Sequence, residues 1–182
     1  KGLLGRDKLF TAVAGHDFSK SVIASHADIL ALIGIAGPLP APRIVPTEEA
    51  RQKAERLLQS LGVGPSEPLL IFHPTSRWMF KSWEAANCAR LADMIAGKGH
   101  MRVAFTCGPE EKELKKMHQI MAQVREPVLD LSGKTTLAVL AALIARSRAF
   151  LGVDSAPMHM AHALGVPTLS LFGPSDPVQW AP

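Results

Sequence analysis

Residues 150–177, FLGVDSAPMHMAHALGVPTLSLFGPSDP, decide the fold. The run AFLGV (149–153) is short and wholly apolar, the signature of a strand buried on both faces of a parallel sheet. It stops at Asp154-Ser155, two residue types suited to capping a helix, and Pro157 falls in the first turn, where a missing N–H is harmless. The helix that follows is short and ends at Gly165. A second apolar strand, VPTLSLF, then runs into Gly173-Pro174. Strand, turn, helix and strand make a βαβ unit, and the turn at the carboxyl end of its first strand offers unpaired N–H groups and a positive dipole end to an anion.

The same alternation extends upstream. Strand PLLIFHP leads to helix SWEAANCARLADMIAGKG, strand MRVAFTCG to helix PEEKELKKMHQIMAQ, and strand PVLDLSG to helix TTLAVLAALIARS. Short connections between apolar strands predict an α/β fold: a doubly wound, Rossmann-like parallel sheet with right-handed crossovers. Ahead of it, Thr47 opens a polar helix with an acidic first turn and a Gly62 stop. Residues 1–45 read differently. SHADILALIGI is an apolar helix ending at Gly34, and GPLPAPRIVP, with prolines at 38, 40, 42 and 46, is linker chemistry.

Composition narrows the function. The 182 residues are 47% apolar and 20% charged, as in ordinary globular domains. A formal charge of +4 is mild and scattered, which fits an anionic ligand or an anionic membrane face. Aromatic content is 5% with no Tyr, so the stacking platforms of single-strand nucleic-acid binders are missing and no nucleic-acid partner is expected. Cys88 and Cys107 are far apart and read as small buried hydrophobes. No apolar run approaches the ~20 residues of a membrane span. Lys1 in place of Met and a stop at Pro182 just after a loop suggest a fragment.

Two loops carry the candidate chemistry. After the first strand come Thr75 and Ser76, then Arg77 and Lys81, with Ser82 expected to cap the next helix. Two hydroxyls, two cations and a helix N-terminus suit a diphosphate, although a solvated loop with Trp78 and Phe80 tucked under the sheet is the plainer alternative. The second loop is Asp154-Ser155-Ala156, from another strand of the same sheet. Asp154 is suited to accept hydroxyl protons from a sugar, or simply to cap the helix. His159 and His162 share a helix face, but no third ligand stands nearby, so no metal site is expected. His159 is expected to turn toward the ligand edge or the preceding loop.

Three motifs are set aside. SGKTT (132–136) ends like a phosphate loop, but Val128 occupies the place of its first glycine, and Thr135 or Thr136 is better read as a cap. GVDSA (152–156) echoes a nucleophile elbow, yet no His follows His162 to act as base. The charge run from Glu110 to Lys116 reads as a solvated helix face whose first-turn acids could reach a ribose.

HPTSRWMFKSW, FTCGPEE and the opening stretch together resemble the carboxyl-terminal half of the lipopolysaccharide core heptosyltransferases, glycosyltransferase family 9 of the GT-B fold. The Phe80-Lys81-Ser82-Trp83 form is most similar to the branch that adds the third heptose. The resemblance implies an inverting, metal- and cofactor-independent transfer of heptose from ADP-heptose to a lipid A–core acceptor, in the cytoplasm at the inner membrane face. By position it assigns Thr75, Ser76 and Lys81 to the diphosphate, with Arg77 beside them. It gives Ser155 and Ala156 N–H groups the same role, Asp154 the heptose hydroxyls, and His159 the completion of that motif. Thr135 is placed at the adenine and Glu110 near the ribose, where some relatives carry an acid at the position of Lys112. The organisation implied is a remnant of the acceptor-side domain plus linker over 1–45, and a donor-binding domain over 46–182, truncated at its carboxyl end. The catalytic base is then expected in the missing amino-terminal domain. A non-catalytic nucleotide-binding module and a sugar-nucleotide epimerase of similar fold are the alternatives, with a hydrolase using Asp154 more distant.

Overall fold

The computed structural model describes residues 8–15 and 17–182. Residues 1–7 and His16, part of the segment assigned above to an acceptor-side remnant, lie outside the described residues. The chain divides into two compact units, one holding the described residues up to Ala41 with Asp176–Ala181, the other Pro42–Ser175.

The first unit contains α1 (Val22–Ala31) and α7 (Pro177–Trp180). Ser21 caps α1 by accepting from the Ala24 N–H, and Asp176 caps α7 through the Val178 N–H. The apolar stretch read as a helix ending in Gly34 is this α1, and Gly34 follows it at φ +80. No α1 residue is buried.

The second unit is built on five strands: β1 (Leu69–His73), β2 (Arg102–Phe105), β3 (Leu129–Asp130), β4 (Ala149–Val153) and β5 (Thr168–Leu171). All pairings are parallel, in the order β3-β2-β1-β4-β5. Period-two alternation splits the core. Leu69, Ile71, Ala104 and Phe150 pack with residues of α2 (Glu48–Ser60), α5 (Leu137–Arg146) and α6 (Ala156–Ala163) on one face. Leu70, Phe72, Val103, Phe105 and Leu151 pack with residues of α3 (Ala85–Ala96) and α4 (Glu111–Met121) on the other. The Phe72 and Phe105 rings stack at 4.9 Å across their register pair. Helices on both faces make the sheet doubly wound, as the sequence predicts. The third strand is shorter than expected, with only Leu129 and Asp130 in the ladder at one sheet edge.

The connection after β1 runs to β2 on one side, while the strand reached last from β3 lies on its other side. The order therefore reverses between β1 and β4, and in open α/β sheets the crevice at the carboxyl ends of such strands is where ligands bind. The register pair His73–Gly152 brings those ends side by side. Gly152 is required there: a Cβ would lie 2.9 Å from the His73 carbonyl oxygen and 2.7 Å from the Phe150 ring.

Candidate functional site

The β1 loop begins at buried His73, whose Nδ1 lies 2.9 Å from Thr106 Oγ1 at the end of β2. Burial lowers its pKa from 6.5 to about 4, so the ring is neutral. Thr75 is fully buried and its hydroxyl donates to Glu113 Oε2 at 2.7 Å. The Ser76 hydroxyl donates to the Trp78 carbonyl at 2.8 Å and accepts from the Trp78 N–H at 3.1 Å. Both hydroxyls thus organise the loop from within. Among the described residues the backbone N–H groups of Thr75, Ser76 and Arg77 have no hydrogen-bond partner, and a run of such groups is an anion-binding feature. Arg77 is exposed, and its carbonyl accepts from Lys112 Nζ at 2.8 Å.

Lys81 ends a single 3₁₀ turn, Met79–Lys81, that lifts it toward β4. The expectation that Ser82 caps the following helix is corrected here: Ser82 is extended and closes the 3₁₀ turn, and α3 starts at Ala85 with Glu84 as its flanking residue. Trp78 and Phe80 do not tuck under the sheet; they are exposed, with ring centroids 6.1 Å apart.

The β4 loop meets this one directly. Lys81 Nζ lies 2.6 Å from Asp154 Oδ2, with side-chain exposures of 18% and 5%. Asp154 is therefore an ion-pair partner, not the cap of α6. Ser155 holds the N-cap position in extended conformation without a side-chain cap bond, and its buried hydroxyl has no partner among the described residues. The Ser155 and Ala156 N–H groups are likewise unpaired, at the positive end of α6. Such orphaned hydrogen-bond donors are the features a ligand satisfies. His159, half-buried in α6, has its pKa lowered by burial, opposed by the Asp154 carboxylate and assisted by the His162 and Lys81 charges. Its ring thus senses the same ion pair.

Glu110 and Thr135 stand further along the sheet edge. Glu110 is exposed at the start of α4 and makes no capping bond. Thr135 is half-buried after β3, and its neighbour Thr136 caps α5 by accepting from the Val139 N–H. The charge run read as a solvated face is corrected at one position. Glu113 is 5% exposed, taking the Thr75 hydroxyl and, at 3.2 Å, the Gly108 N–H on the same oxygen. A signal for it existed: Glu113, Met117 and Ile120 follow helical spacing and are the buried face of α4.

Cys88 and Cys107 are buried free thiols with pKa values raised to about 11 by burial. Among the described residues no group of three or more His, Cys, Asp or Glu converges as a metal site, and no helix is long and apolar enough to cross a membrane.

Comparison with known proteins places this architecture. Residues 18–182 match the family model of glycosyltransferase family 9 (heptosyltransferase). The chain is 32% identical over 163 residues to lipopolysaccharide heptosyltransferase 3 of Escherichia coli, covering 89% of this chain and 47% of that protein. It therefore spans about half the length of the relatives it matches. A glycosyltransferase family 9 crystal structure from Veillonella parvula superposes with a TM-score of 0.83 at 25% identity, over 93% of this chain and 48% of that one. The structure of E. coli ADP-heptose LPS heptosyltransferase II gives 0.67 at 25% identity, over 80% and 44%. With nearly the whole described chain inside the family model, and with a doubly wound sheet to match, the chain belongs to glycosyltransferase family 9, the heptosyltransferases.

Proposed function

We propose that the chain forms the sugar-donor half of an inverting heptosyltransferase, binding ADP-heptose for transfer to the lipopolysaccharide core. The observation that carries the reading is the strand order. Along the carboxyl edge from β3 to β4 stand Thr135, Glu110, the Thr75–Lys81 loop and Asp154–His159, in that sequence. That is the linear order of adenine, ribose, diphosphate and sugar in a nucleotide sugar. Three strand spacings of about 4.8 Å give a row on the order of 14 Å.

In this reading Lys81 and the unpaired N–H groups of Thr75–Arg77, Ser155 and Ala156 receive the diphosphate, with Arg77 at its rim. The Ser76 hydroxyl shapes the loop beside it, and the Thr75 hydroxyl acts from beneath. Asp154 accepts from heptose hydroxyls once Lys81 turns to phosphate, and His159 stands beside it. Glu110 takes the ribose and Thr135 borders the adenine. The group that deprotonates the acceptor is assigned to the acceptor-side domain of the family, so these residues by themselves bind the sugar donor and turn it over slowly. General-base assistance is typically worth ~10²–10⁴-fold. The lipid A–core acceptor places the reaction at the cytoplasmic face of the inner membrane.

Calorimetry of the 182-residue chain with ADP, ADP-heptose and a UDP-sugar tests the reading. Preference for the adenine nucleotides, abolished in Lys81→Ala, is the expected result. Equal binding of adenine and uracil nucleotides, or none, sinks it.

A further inference from the structure

Glu113 is a buried carboxylate set under a loop that, on the reading above, receives an anion. Its charge opposes such a ligand, so any benefit to binding must come through what the carboxylate holds. It holds two things on one oxygen: the Thr75 hydroxyl at 2.7 Å and the Gly108 N–H at 3.2 Å. The first belongs to the β1–α3 loop, the second to the β2–α4 loop. His73 and Thr106 tie the same two strand ends one step earlier. Beyond Thr75 the backbone N–H groups run on to Arg77 without partners among the described residues. Thr75 is thus the buried point at which the stretch that would meet a diphosphate is tied to the neighbouring loop through Glu113.

We propose that Glu113 is a positioning residue for diphosphate binding, clamping the Thr75 loop to the Gly108 loop so that the Thr75–Arg77 N–H groups are held ready for the ligand. The inference rests on the donor-site reading. Releasing the clamp leaves those N–H groups to be ordered by the ligand itself, so diphosphate binding is expected to weaken about tenfold.

Three variants of the full chain separate the possibilities. Glu113→Ala removes the clamp and the charge. Glu113→Gln keeps an acceptor for both hydrogen-bond donors and discards the charge. Gly108→Ala keeps the acid but displaces it, since the new Cβ would sit 2.7 Å from Glu113 Oε1, the mobile end of a flexible side chain. ADP affinity is measured by calorimetry, adenosine affinity by ligand-detected NMR competition, and folding by thermal melting. Glu113→Ala and Gly108→Ala are expected to lose about tenfold in ADP affinity while adenosine affinity stays within about twofold. Glu113→Gln is expected to bind ADP at least as tightly as the parent. Should Glu113→Ala not fold, the other two variants decide. ADP affinity unchanged in Gly108→Ala, equal losses for ADP and adenosine, or a Gln variant as weak as Ala overturns the clamp while leaving the site intact. A parent chain that binds no ADP overturns the donor-site reading itself, and the clamp with it.

Discussion

Replacing Asp154 by Asn should tighten ADP binding while erasing discrimination in favour of ADP-heptose. Asp154 and Lys81 are paired at 2.6 Å, and the acid is the more buried partner. Two unit charges 4 Å apart interact by about 4 kcal/mol at an effective dielectric of ~20, before the cost of desolvating both is subtracted. Asn removes the attraction but leaves an oxygen for the ammonium, and Lys81, 18% exposed, can recover water. The apo fold should lose only about 1–2 kcal/mol. Lys81→Met is the harsher change, because it strands a carboxylate that is 5% exposed; about 3 kcal/mol is expected.

For Asp154→Asn, ligand binding changes the sign of the effect. A diphosphate on Lys81 must draw the ammonium away from Asp154 and then sit near that carboxylate. At roughly 6 Å and the same dielectric, one such repulsion is about 3 kcal/mol, cut by salt to about 1–2. Asp154→Asn should therefore gain about tenfold in ADP affinity. ADP-heptose gains the same relief but loses charged hydrogen bonds to its sugar, about 1.5–3 kcal/mol. Its preference over ADP should fall at least tenfold. Titration of both ligands at low and at physiological salt reads these terms apart, the ADP gain shrinking as salt rises. If the Asn variant binds ADP no better than the parent and still prefers ADP-heptose as strongly, then Asp154 neither restrains Lys81 nor faces the sugar.

Stability should fall on acidification because of His73. Its folded pKa of about 4 lies below the usual 6.5, so the unfolded chain binds more protons between those values; its contribution is intact above pH 6.5 and lost on the way to pH 4. The loss is on the order of 3 kcal/mol, and urea unfolding at pH 7 and pH 5 should show much of it, with a flatter profile in His73→Asn. Gly152→Ala should destabilise the sheet by at least about 2 kcal/mol, since the Cβ meets the backbone carbonyl of His73 at 2.9 Å; an unchanged melting temperature refutes the close approach. Arg146→Lys should lower stability by about 2 kcal/mol. Its guanidinium donates to the Gly64, Pro65 and Glu67 carbonyls at 2.6–2.9 Å, and one ammonium cannot reproduce that fork. Chemical denaturation measures it.

The fold was legible because each strand is a compact apolar run and several helices carry their own start or stop signals. Thr47 and Thr136 cap where threonine should, and Gly62 and Gly165 take positive φ after their helices. Which residues flank the switch point was legible too, since loops after buried parallel strands fall at one edge. Hydrogen-bond direction was not. Thr75 and Ser76 look alike in sequence as hydroxyls near an anion site, yet one is spent on a residue 38 positions away and the other on its own loop. The Lys81–Asp154 pair spans 73 positions, and no local pattern announces it. Glu113 stands inside a run of charges, and only its helical spacing with Met117 and Ile120 marks it as buried.

On the proposed reading an anion site contains two buried carboxylates, Asp154 and Glu113, and each needs its own physical reason. Lys81 is largely withdrawn from water, and Asp154 pairs with it at 2.6 Å. On the proposed reading, the arriving diphosphate takes over Lys81, and Asp154 passes to the sugar hydroxyls, so neither charge is left unpaired before or after. The exchange couples recognition of the sugar to recognition of the diphosphate, because the acid becomes available only when the lysine leaves it. Glu113 changes no partner: its two hydrogen bonds lie beneath the loop and serve both states alike. The two acids should therefore respond oppositely to neutralisation with shape retained. Asp154→Asn shifts preference between two ligands, whereas Glu113→Gln leaves that preference alone.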